Sequence, residues 1–141
     1  MYFFMVIVVA LTFGYASDGD EFIDSRDNKK YKTKRIGNHT WFLQDLTYKK
    51  DKYNWDEALS ICPHGWHLPS DNEWNDLRDI AVSMYSDLEG FFENFESEWW
   101  SATEIDSIVT AWSFWPTKFF IRLAGFESYK TNTIGVRCVK D

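Results

Sequence analysis

Positive charge is in short supply: 15 Lys and Arg stand against 22 Asp and Glu, a formal charge of −7 over 141 residues. A nucleic-acid-binding face needs a net positive patch, so that partner class is excluded. Histidines are few, and His39, His64 and His67 have no recognisable Ser partner. No nucleophile–base–orienter set is therefore visible, and a catalytic role is not expected. No repeat, low-complexity tract or linker interrupts the chain, whose length suits one domain. No apolar run reaches the roughly 20 residues that a spanning helix needs.

What is abundant is apolar and aromatic: 45% of residues are hydrophobic, with 8 Trp, 7 Tyr and 12 Phe. The chain can bury a core and need not be disordered. Its first segment reads as an address. Residues 1–16 carry no charge and end in Gly14-Tyr15-Ala16, small residues at the positions a signal peptidase inspects. A signal peptide over 1–16 is expected, although no Lys or Arg precedes its apolar run. That implies a secreted or cell-surface protein with no stable membrane insertion after cleavage. A hydrophobic strand or uncleaved anchor is the alternative. In that compartment an even cysteine count favours a single disulfide, Cys62 with Cys138, over a reactive or metal-binding thiol.

Residues 17–28 are polar and acidic and read as a lead-in loop to a single domain over 29–141. The runs Tyr31–Ile36 and His39–Leu43 flank Gly37-Asn38, a hairpin signal because both turn residues accept positive φ. Six of the cationic residues fall within Arg26–Arg35. They read as a solvated edge strand rather than an anion site. Asn54 with Glu57 forms a capping box ahead of a short helix that carries Trp55, Ala58, Leu59 and Cys62 on one face. Ser70 with Glu73 forms a second box, ahead of an amphipathic helix over 71–84 with Trp74, Leu77, Ala81 and Met84 inward. From Asp71 to Asp106 there are 11 acidic residues and only Arg78 as a cation. The spacing matches no EF-hand loop, so a solvated acidic segment is expected and no metal. Strands follow at Trp99–Thr103, Val109–Trp115, Lys118–Leu123 and Ile134–Lys140, with Pro116-Thr117 as a tight turn and Asp106-Ser107 and Lys130–Thr133 as loops. The class is α+β, two helices on a twisted antiparallel sheet.

Several blocks carry a resemblance. They are Phe22-Ile23-Asp24-Ser25-Arg26-Asp27, Tyr31-Lys32-Thr33, Ile36-Gly37-Asn38-His39-Thr40-Trp41, Trp55-Asp56-Glu57-Ala58, Cys62-Pro63-His64-Gly65-Trp66-His67-Leu68-Pro69-Ser70-Asp71, Glu73-Trp74, Trp99-Trp100-Ser101-Ala102-Thr103-Glu104 and Val136-Arg137-Cys138-Val139-Lys140-Asp141. Over 22–141 the chain resembles the Fibrobacter succinogenes major paralogous domain, a family of exported bacterial modules similar to C-type lectin-like domains. The resemblance implies a lectin-like fold in which a Trp-x-x-Ala helix carries a Cys bonded to the final strand, the positions of Cys62 and Cys138. Residues 85–98 depart from the family, being short, acidic and Phe-rich where the family has a longer Gly-rich stretch. His67-Leu68-Pro69 through Glu73-Trp74 also resembles a motif of formylglycine-generating enzymes, whose reactive late cysteines have no counterpart here.

Calcium-dependent sugar binding is disfavoured, since the loop tripeptides it needs are missing and Trp74-Asn75-Asp76 falls within a helix. Cys62-x-His64-x-x-His67 has a metal-like spacing, but the disulfide would consume the thiolate. His67 is expected to pack inside a short strand. The aromatics then offer the best chemistry, because exposed rings stack on the apolar faces of sugars. In Val109–Trp115 both strand faces carry a Trp, so one can be exposed. Trp115, Trp112 and Tyr129 are the candidate ligand-binding residues. The expectation is an exported, non-catalytic module that recognises polysaccharide or a surface protein without cofactor or calcium. A structural or adhesive surface protein is the alternative. Asn38-His39-Thr40 is a glycosylation sequon, expected to be unmodified in a bacterial host.

Overall fold

The computed structural model describes residues 20–83, 91, 97–107, 110–117 and 122–141, with the backbone alone at 81–83, 110–112, 114–117 and 122–124. The expected signal peptide at 1–16 and most of the acidic 85–98 segment lie outside the described residues. The architecture is α+β. Strands β1 (Asp20–Asp24), β2 (Lys29–Ile36) and β3 (His39–Phe42) precede helices α1 (Trp55–Ile61) and α2 (Asp71–Ser83). Strands β4 (Trp99–Glu104), β5 (Thr110–Thr117), β6 (Arg122–Tyr129) and β7 (Val139–Lys140) follow. Pairing is antiparallel within two sheets, ordered β1-β2-β3-β7 and β4-β5-β6, rather than one. No helix among the described residues is long and apolar enough to cross a membrane.

The local signals that rest on one residue's chemistry act as expected. Gly37 turns the β2–β3 hairpin at φ 62°, and its Cα faces Ile80 of α2 so closely that a Cβ would lie 2.5 Å from Ile80 Cδ1. The Asn54 side chain accepts from the Glu57 N–H at 3.0 Å, and Glu57 accepts from the Asn54 N–H at 3.0 Å, closing the α1 capping box. Ser70 Oγ accepts from the Glu73 N–H at 3.3 Å, but the Glu73 carboxylate lies on His67 Nε2 at 2.9 Å.

Two pairs of adjacent aromatics divide the interior. Neighbours along a strand face opposite ways, so Trp41 and Phe42 of β3 enter different cores, as do Trp99 and Trp100 of β4. Phe42 and Trp100 join Tyr31, Trp55, Ala58 and Trp66 against α1, whereas Trp41 and Trp99 join Trp74, Leu77 and Phe91 against α2. Four of the buried indole N–H groups donate to acceptors: Ser101 O for Trp55, Trp100 O for Trp74, Asp45 for Trp99 and Tyr53 O for Trp100. This matters because an unmade bond at a buried donor costs about 1–3 kcal/mol. The segment 134–139 runs between these cores. It bonds in turn to Tyr53, Glu98 and Trp100, Leu46, Phe42 and His67 through the backbone. Cys138, buried on this segment, is bonded to Cys62 at the end of α1, with Cα atoms 5.8 Å apart.

Five expectations are corrected. Residues 20–24 are not part of a lead-in loop. Phe22 packs on Phe42 and Trp66, and the buried Asp24 carboxylate takes Arg26 Nε and Nη2, so a polar composition hides a strand and its anchored turn. The Arg26 guanidinium holds the Asp24 carboxyl below the usual carboxylate range. Because β1 covers it, β2 is an interior strand, and its exposed lysines, such as Lys32 between the buried Tyr31 and Thr33, do not guard an edge. Pro116 and Thr117 extend β5 opposite Leu123 and Arg122 and are not the turn. The connection 118–121 lies outside the described residues. Only Val139 and Lys140 of the expected last strand pair regularly, since 134–138 serves several partners. Finally, Leu59 is 44% exposed, leaving Trp55 and Ala58 as the buried face of α1.

Candidate functional site

Six of the eight Trp, at 41, 55, 66, 74, 99 and 100, are buried, so the aromatic excess is mostly core. The other two are Trp112 and Trp115 on β5, opposite Glu127 and Ala124 of β6. Their side chains lie outside the described part of the structure. Positions 112 and 115 differ by an odd number and so belong to opposite faces of the strand. Tyr129, opposite Thr110, shares the face of position 112. It closes β6 and is 61% exposed.

A concavity of about 270 Å³ opens at the residue after Tyr129. Three chain segments form it: Asn54, Trp55 and Asp56 at the start of α1, Glu104 and Ser107 at the end of β4, and Lys130 with Thr131 after β6. Two of these segments are fixed by local hydrogen bonds. The α1 start is fixed by the capping box. The turn after β6 is closed by the Asn132 N–H on Tyr129 O at 2.8 Å. The two are joined by the Trp55 N–H on Lys130 O at 3.0 Å.

Lys130 organises the groove. Its side chain is 10% exposed, its ammonium lies 4.5 Å from the Trp55 ring centroid, and it donates to the Glu104 carboxylate and to Asp106 O. The indole face is thereby covered by a cation, whereas the Tyr129 ring, one residue before Lys130, is exposed. Beside the groove, Glu57 is held below the usual carboxylate range by its hydrogen bond from Lys50 and that from the Asn54 N–H. Asp56 is exposed, and among the described residues its carboxylate takes part in no ion pair or hydrogen bond. The arrangement offers carboxylate, amide and hydroxyl groups. That set can hold a hydroxylated ligand.

The remaining candidates do not converge here. Cys62 and Cys138 are joined to each other. His67 is exposed rather than packed inside, because in Trp66-His67-Leu68 the two flanking side chains take the core and His67 alternates outward onto Glu73. His64 is exposed. Trp74, Asn75 and Asp76 lie on α2. Among the described residues no three His, Cys, Asp or Glu side chains group as metal ligands would. A second hollow of about 290 Å³ lies between the hairpin and α2, with Ile36, Trp41 and Leu77 at its base and Asp76 and Asp79 at its rim. The groove residues at 54, 56, 104, 107 and 130 carry only cap and loop signals in the sequence, and nothing local says that they meet. The chain matches no protein-family model, and no curated protein matches it significantly.

Proposed function

We propose that this protein is an exported, non-catalytic binding module with a C-type lectin-like fold, akin to the Fibrobacter major paralogous domains, that recognises polysaccharide without calcium or cofactor at the bacterial surface. The disulfide from the end of the first helix to the residue before the last strand supports the fold reading, as do the two small antiparallel sheets. One observation carries the functional reading: a polar groove with uncommitted hydrogen-bonding groups, lined by the Lys130 that directly follows the exposed Tyr129 in the chain. The ring would stack on the C–H face of a sugar while the groove takes its hydroxyls.

The test is an insoluble-polysaccharide pulldown and glycan array with the protein and its Tyr129→Ala variant, with Trp115→Ala alongside. Loss of the stacking ring should weaken binding about tenfold, with the melting curve unchanged because Tyr129 is exposed. A folded, oxidised protein that binds no glycan would overturn the reading in favour of a protein partner or a structural, adhesive role.

A further inference from the structure

We infer that the groove selects neutral, hydroxyl-rich glycans and rejects those bearing uronate or sulfate groups, an inference that rests on the carbohydrate-binding reading above. Asp56 and Glu104 contribute two carboxylates to its lining, and Lys130 is its sole cation among the described residues. That cation is engaged with Glu104 and the Asp106 carbonyl over Trp55. Ionised carboxylates accept hydrogen bonds and cannot donate them. Hydroxyl donors on the ligand complement them, whereas an anionic sugar brings more acceptors and like charge. An anion could gain Lys130 only by displacing Glu104, which would leave that carboxylate without its cation in a groove already holding Asp56. The formal charge of −7 adds a long-range field of the same sign. The short-range pattern in the groove is what confers selectivity on contact.

The test measures the affinities of the protein for cellohexaose, xylohexaose and hexagalacturonate by calorimetry at 0.5 M NaCl. There the screening length falls to about 4 Å, so the field of the whole protein is suppressed and the groove's own contacts remain. At least one neutral hexamer should bind, with hexagalacturonate at least tenfold weaker. Asp56→Asn should weaken the neutral hexamer about tenfold, as expected for a lost charge-assisted hydrogen bond. Glu21→Gln on β1, the same change in net charge at an exposed remote site, should alter neither affinity. Hexagalacturonate binding as tightly as the neutral hexamers, or equal effects of the two variants, would overturn the selectivity and leave carbohydrate binding standing. Failure of all three hexamers to bind the folded protein would overturn the carbohydrate reading itself and the selectivity with it.

Discussion

Replacing Cys62 and Cys138 together by alanine removes the one covalent link between the end of α1 and the segment that separates the two cores. The cysteines lie 76 residues apart in sequence. In the chain-entropy treatment a closed loop of that length lowers the free energy of folding by roughly 4.5 kcal/mol, through its constraint on the unfolded chain. For a domain of this size each kcal/mol moves the melting temperature by about 3–4 °C, so the variant should melt about 15 °C lower. Cys138 is fully buried while Cys62 is partly accessible, so reductant added to the native protein should act slowly until the structure opens. The assay is thermal and urea unfolding of the oxidised protein, the reduced protein and the double alanine variant, followed by near-ultraviolet circular dichroism. Near-coincident curves for the reduced and alanine forms are expected, with a steeper urea dependence than the oxidised form, because an uncrosslinked chain exposes more surface on unfolding. A melting temperature lowered by less than about 4 °C would refute the entropic argument.

Two further outcomes follow from buried or strained positions. Tyr53 is fully buried and donates to the Tyr48 and Lys50 carbonyls, each 2.7 Å away; burial pushes its pKa up to about 12. With the folded value above an unfolded value near 10, its contribution is complete below pH 10 and is lost as pH rises towards 12. The difference corresponds to roughly 3 kcal/mol. The stability gap between the protein and Tyr53→Phe should therefore change across pH 10–12, and a gap that stays constant there would contradict the assignment. Gly37→Ala forces an L side chain into positive φ and onto Ile80, with an expected cost of about 1–2 kcal/mol from the backbone alone. In an Ile80→Ala background the steric part should vanish and the backbone part persist. Urea titrations of all four forms check this, and a cost below about 0.3 kcal/mol for the single variant would count against it.

Much of the fold is legible where one residue's chemistry acts on its neighbours. The Asn54–Glu57 box starts a helix, Gly37 turns a hairpin, and the run from Trp74 to Leu77 marks a buried helical face. The pairing of Cys62 with Cys138 is the one intramolecular pairing that two cysteines allow. Other features fail to read locally because their cause lies far along the chain. Asp20–Asp24 has the composition of a loop and becomes a strand because β2 supplies its hydrogen-bond partners and Phe42 and Trp66 cover Phe22. Pro116 looks like a turn, yet Leu123 lies opposite it in a continuing ladder.

By itself, then, the sequence determined the class of the protein, the start of its first helix, its hairpin and its crosslink, since these depend on spacing within a few residues or on cysteine chemistry. The tertiary structure alone decided which aromatics are core. Adjacent residues such as Trp99 and Trp100 differ only in the direction they face, and both directions are closed by distant elements. It also decided the groove, because Asp56, Glu104 and Lys130 are separated by dozens of residues. They meet only where the start of α1, the end of β4 and the turn after β6 are packed together.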